Sequence, residues 1–144
     1  MLISKRDAAH ALSSAITRFG LALSDYDDGF LLVGRGYAIQ IFWDWSGVSF
    51  VYIDLNSGVR IDILEYLLNR RRAKLRFPGY GQVERIRDRH MIAMSAFADH
   101  LVRGGSDIGV GEKTWQAELR EAPDKAPPDI LEQIRLMARH SDGS

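Results

Sequence analysis

Apolar residues recur at Ala8, Leu12, Ala15, Ile16 and Phe19, the spacing of one helix face, and Gly20 closes the run. Ser4 followed by Asp7 supplies a hydroxyl and a carboxylate for the free amides of a first turn. The pattern therefore predicts a helix ending at about Arg18. The period then changes. Segments rich in β-branched and aromatic residues run over 21–26, 30–34, 37–43 and 48–55, with Asp27-Asp28-Gly29 and Asp44-Trp45-Ser46-Gly47 as turns. The links hold two to four residues, whereas a parallel pair needs a crossover of about a dozen, so the pattern predicts a four-stranded antiparallel meander.

Two registers are open at the second hairpin. A two-residue loop places Ile39, Ile41, Trp43, Val48, Phe50 and Tyr52 on one face; a three-residue loop with a bulge at Gly47 sets Phe42 across from Phe50. The first is favoured, with the aromatic face packed on helices and the face bearing Gln40, Phe42 and Ser49 more polar.

Beyond Asn56-Ser57-Gly58, which is expected to close the sheet, Ile63, Leu64, Leu67 and Leu68 sketch a short helix with Asp62 as its N-cap. The strongest helical stripe is Val83, Ile86, His90, Ala93, Met94, Phe97 and Leu101, over about Gln82 to Val102, stopped by Gly104-Gly105. A brief helix is expected over Trp115 to Leu119, and residues 122–128 read as a stiff proline-containing linker. A last amphipathic helix opens at Asp129 and runs through Ile130, Leu131, Ile134 and Met137, before a frayed tail from His140. The expectation is one α+β domain over residues 1–144: a helix at 1–19, the sheet at 20–58, and a bundle of C-terminal helices at 59–140.

Composition narrows the function classes. With no cysteine there is no disulfide framework, thiolate metal site or cysteine nucleophile. The first twenty residues mix charged and apolar positions, unlike a signal peptide, and no apolar run reaches the ~18 residues of a membrane span. A cytoplasmic protein without membrane contact is expected. Formal charge is zero, but residues 1–69 carry five Lys/Arg against eight Asp/Glu, and residues 70–144 carry fourteen against eleven. Neutrality argues against a nucleic-acid partner.

Candidate chemistry is sparse. Gly104 to Thr114 looks like a phosphate-binding loop at first sight, yet Glu112 stands between the last glycine and Lys113, and the segment follows a helix where a buried strand is required. His10, His90, His100 and His140 lack metal-ligand spacing, and His90 reads as a hydrogen-bonded core histidine. No carboxylate has an evident buried partner to raise its pKa for acid-base work, so no catalytic residue, metal or cofactor is assigned and the chain is not read as an enzyme. Arg70, Arg71, Arg72, Lys74 and Arg76 end a helix, where cations meet the negative end of its dipole; with Phe77 and Tyr80 they form the alternative, a patch gripping nucleic acid. Trp43 and Trp45 flank Asp44 at the second turn and are not both expected to be buried on one side, so Trp45, at the turn, should be exposed and available to a partner. Asp25, Asp27, Asp28 and Asp44 would form an acidic patch around it, although Asp27-Asp28 also suits a turn.

An N-terminal helix, a short antiparallel meander and C-terminal helices together resemble the small α+β immunity proteins encoded beside bacterial polymorphic and contact-dependent growth inhibition toxins. The stretch from Ala98-Asp99-His100-Leu101 through Asp107-Ile108 to Gly111-Glu112-Lys113-Thr114-Trp115 is similar to the helix, acidic-aliphatic loop and G-[DE]-x-x-W ending met in such proteins. Trp115 is expected to be a core anchor. The resemblance implies a protein that binds a cognate toxin domain and blocks its active site or substrate path. Its neutral charge departs from the acidic character of immunity proteins against nucleases.

Overall fold

The computed structural model describes residues 3–71, 85–119 and 123–141. Chain order is α1 (Lys5–Ala11), α2 (Ser13–Phe19), β1 (Ala22–Tyr26), β2 (Gly29–Val33), β3 (Tyr37–Asp44), β4 (Gly47–Asp54), β5 (Val59–Asp62), α3 (Ile63–Arg70), α4 (Ile86–Gly104), α5 (Ser106–Gly109), a 3₁₀ turn (Thr114–Glu118), β6 (Asp124–Lys125) and α6 (Pro128–Ser141). The class is α+β, and the strands form one antiparallel sheet in sequence order.

The expected N-terminal helix is two helices. The Ser4 hydroxyl accepts the Asp7 amide at 3.0 Å, which starts α1 as the sequence suggested. The chain then breaks at Leu12, ahead of the Ser13-Ser14 pair, a weak point for continuous helix. Ala8, Leu12 and Ala15 are all buried in the core. Gly20, at φ 65°, ends α2 in the left-handed region that a side chain would disfavour.

The second hairpin adopts the two-residue register: Trp43 pairs with Val48, Phe42 with Ser49 and Ile41 with Phe50. Ile39, Ile41, Phe50 and Tyr52 are therefore buried on the same face. They meet α1 to α5 in the larger core, where Phe50 stacks on Phe97 at 4.0 Å between ring centroids and Tyr52 meets Trp115 edge-on at 5.0 Å. Such aromatic pairs add about 1 kcal/mol each beyond their burial.

Two features correct the four-stranded expectation. Val59–Asp62, expected to lie outside the sheet, is β5, because the turn after Asp54 returns the chain along β4. Asp124–Lys125, expected to be linker, pairs with Val59–Arg60 as β6, helped by the Ala126 amide on the Gly58 carbonyl at 2.8 Å. The C-terminal helices also do not form a single bundle. α6 lies on the opposite sheet face, where Leu131, Ile134 and Ala138 cover Leu31, Val33, Ala38 and Ile53 in a second core. Asp62 caps α3 through the Glu65 amide at 3.0 Å, as expected. The long helix runs to Gly104; Gln82 and Val83 of its expected start lie outside the described residues. Among the described residues no helix is long and apolar enough to cross a membrane.

Candidate binding groove at the turn end of the sheet

Successive antiparallel strands bring the β1–β2 and β3–β4 turns to the same end of the sheet. Asp27, at φ 53°, and Asp28 make the first turn; Trp45 and Ser46 make the second. The Ser46 hydroxyl and amide donate to Asp44 Oδ1 at 2.5 and 2.7 Å, and the Gly47 amide donates at 3.2 Å. These bonds, Ser46's foremost, hold the Asp44 carboxyl below its ordinary range and keep it ionised. The carboxylate is tied to its own turn, and Trp45, in the loop of that turn, is 83% exposed.

All five residues nominated from sequence, Asp25, Asp27, Asp28, Asp44 and Trp45, line one open groove of about 690 Å³. Ile3, Phe30, Trp43 and Ile86 complete it. Trp43 is half-buried against Phe30, with ring centroids 5.6 Å apart, so the groove has a firm aromatic wall under an acidic rim. Nothing in the sequence pointed Ile3 to this groove, and Ile86 was visible only as part of the stripe of the long helix; the packing of the helices brings both to this end. His90 lies one turn along α4 from Ile86 and is 2% exposed. Its expected hydrogen bonds are missing: neither ring nitrogen has a hydrogen-bond partner among the described residues.

The alternative basic patch divides differently. Arg71 makes a bidentate pair with Asp107 at 2.8 Å on both nitrogens, donates to the Gly104 carbonyl at 3.1 Å, and lies 5.5 Å from the Tyr66 ring centre. The guanidinium in turn pulls the Asp107 carboxyl below its usual range. Arg70 donates to the Glu118 carbonyl. These two cations fasten α3 to α5 and to the 3₁₀ turn, and their fork geometry is committed to those partners. Arg72, Lys74 and Arg76, with Phe77 and Tyr80, lie outside the described residues.

The glycine-rich stretch is a latch at the other end of the sheet. Lys113 reaches Asp54 at 2.5 Å and the Gly36 carbonyl at 2.9 Å, Gln116 donates to Asp54 at 3.0 Å, and Tyr37 donates to the Gly109 carbonyl at 2.8 Å. A Cβ on Gly109 would sit 2.4 Å from the Phe19 ring, so the close approach of α2 to this loop requires glycine. Trp115 is buried as expected and donates its indole N–H to the Glu112 carbonyl at 2.9 Å. Among the described residues no group of three or more His, Asp or Glu side chains is placed to hold a metal ion.

No family model, no curated protein and no solved structure matches this chain.

Proposed function

We propose that this chain is an immunity protein that binds a cognate bacterial toxin domain in the cytoplasm and blocks its active site or substrate path, with no catalytic step of its own. One observation carries the reading: an 83% exposed tryptophan and four aspartates, drawn from two turns and two strands, share one groove. An indole displayed to water on a fixed turn offers a large apolar surface at little cost in side-chain entropy, and tryptophan is enriched among residues that dominate binding. Carboxylates around it speed encounter with a basic partner and reject an acidic one. The groove thus offers one apolar anchor and an anionic rim, suited to covering cationic groups that a toxin uses on its own substrate.

Growth protection tests the reading. The chain is co-expressed with the toxin domain encoded by its neighbouring gene, and the purified pair is titrated calorimetrically. The wild-type chain should protect cells and form a one-to-one complex, while Trp45→Ala should weaken that complex by about 2 kcal/mol or more and reduce protection. Protection and affinity unchanged by both Trp45→Ala and Asp28→Lys would remove this groove from the interface. Failure of the wild-type chain to protect or to bind would end the immunity reading.

A further inference from the structure

Strand alternation places Gln40 and Phe42 of β3, paired with Val51 and Ser49 of β4, on the sheet face opposite α1 to α5. α6 covers only part of that face, over Leu31, Val33, Ala38 and Ile53. The remainder is a second open concavity of about 650 Å³, floored by Tyr26, Gln40, Phe42 and Val51. Phe42 is 42% exposed there, and an aromatic ring on an otherwise polar, solvent-facing strand surface is a site to which apolar groups adhere. Among the described residues, Asp27, Asp28, Asp62 and Asp124 rim the concavity together with one cation, Arg60, which is paired with Asp124.

The rim chooses among occupants. A second copy of this face would set carboxylates against carboxylates, and nucleic-acid phosphates or anionic lipid would meet the same repulsion. A bare metal ion finds no trio of ligands among the described residues. A polypeptide with lysine or arginine beside an apolar side chain satisfies both floor and rim. The concavity also continues into the Trp45 groove, because Asp27, Asp28, Gly29 and Trp43 line both.

We infer that the open half of this sheet face is a second docking surface, which takes a lysine- or arginine-bearing segment of a partner protein with an apolar residue seated on Phe42. The inference rests on the binding function proposed above and extends its contact area around the β1–β2 turn, which becomes a ridge straddled by the partner. The Asp27 and Asp28 carboxylates then serve both sides, and Trp45 and Phe42 anchor one side each.

The test is a two-dimensional NMR titration of the full chain with a short synthetic peptide of alternating arginine and leucine, with the same peptide carrying glutamate for arginine as control. The expected result is salt-sensitive shifts at Gln40, Phe42, Val51 and Arg60. Phe42→Ala should weaken binding about tenfold, as expected for loss of one anchor. Gln40→Lys, which adds a cation to the floor, gives an independent variant should the alanine chain fold poorly. Shifts confined to Trp45, Ile3 and Ile86, with both variants binding as wild type, would overturn this inference and leave the Trp45 groove standing. Equal binding of the glutamate peptide, or no binding of either, would also overturn it. A wild-type dimer that Phe42→Ala converts to monomer would assign the face to a second copy and overturn it too. The immunity reading fails separately, in the growth assay and titration with the wild-type chain.

Discussion

Asp44 and Asp54 close adjacent strands at opposite ends of one sheet, and their surroundings differ sharply. Asp54 is 4% exposed and accepts hydrogen bonds from Lys113, Gln116 and the amides of Asn56 and Ser57. Burial pushes its carboxyl up, but those bonds outweigh the cost and leave it lowered to about 2. Asp44 is exposed and accepts from Ser46 and Gly47 of its own turn. One aspartate ties the sheet to the 3₁₀ turn and its N-terminal flank across the fold. The other shapes a local turn and leaves Trp45 in water. Residue type does not separate a structural carboxylate from one available to a partner; what each is bonded to does, and here the polar density sits at the end away from the groove.

The comparison breaks first at Asp54. Asp54→Ala should cost about 3 kcal/mol in denaturant unfolding, because four donors lose their acceptor and the partly buried Lys113 ammonium loses its counter-charge. A loss under ~0.5 kcal/mol, the scale of an ordinary surface substitution, would show that the latch does not hold the fold.

The pH dependence sharpens the same point. Because the folded carboxyl is depressed from 3.8 to about 2, its contribution is fully present above the unfolded value and disappears as pH falls from about 4 to about 2. The loss should be about 2 kcal/mol, measured as the difference in urea midpoints between wild type and Asp54→Asn at the two pH values. Parallel pH profiles for the two chains would contradict it.

Nearer the groove, His90→Leu should raise stability by about 1 kcal/mol, because two buried nitrogens without hydrogen-bond partners among the described residues give way to an apolar side chain of similar bulk. A destabilised variant would mean that the imidazole makes an interaction that outweighs its desolvation.

The smallest effect is expected at the open end itself. Trp45→Ala should change the thermal midpoint by an amount equivalent to less than ~0.5 kcal/mol, in contrast to its expected effect on binding. A large thermal shift would make Trp45 part of the scaffold.

Local chemistry was legible wherever neighbours in sequence decide it. Ser4, Gly20 and Asp62 mark helix ends through bonds or dihedrals spanning three residues or fewer, and the alternation from Ile39 to Tyr52 held the register of the second hairpin. The exposure of Trp45 followed from its place in the turn between β3 and β4. The strands β5 and β6 were hidden because each is short and reads, by composition, as the approach to a helix or as a linker. Phe42 was visible as an aromatic on the polar face, but nothing in the sequence said that α6 would leave it uncovered.

The amino-acid order by itself determined the α+β class, the antiparallel hairpins and the helix ends marked by Ser4, Gly20 and Asp62, since these depend on torsions and on contacts a few residues apart. Only the tertiary structure decided that α6 crosses to the second face, that Lys113 serves a carboxylate, and that five scattered side chains share one groove with Ile3 and Ile86. Those outcomes depend on contacts between residues dozens of positions apart, and such contacts are selected by the packing of whole helix and sheet surfaces, which no local pattern encodes.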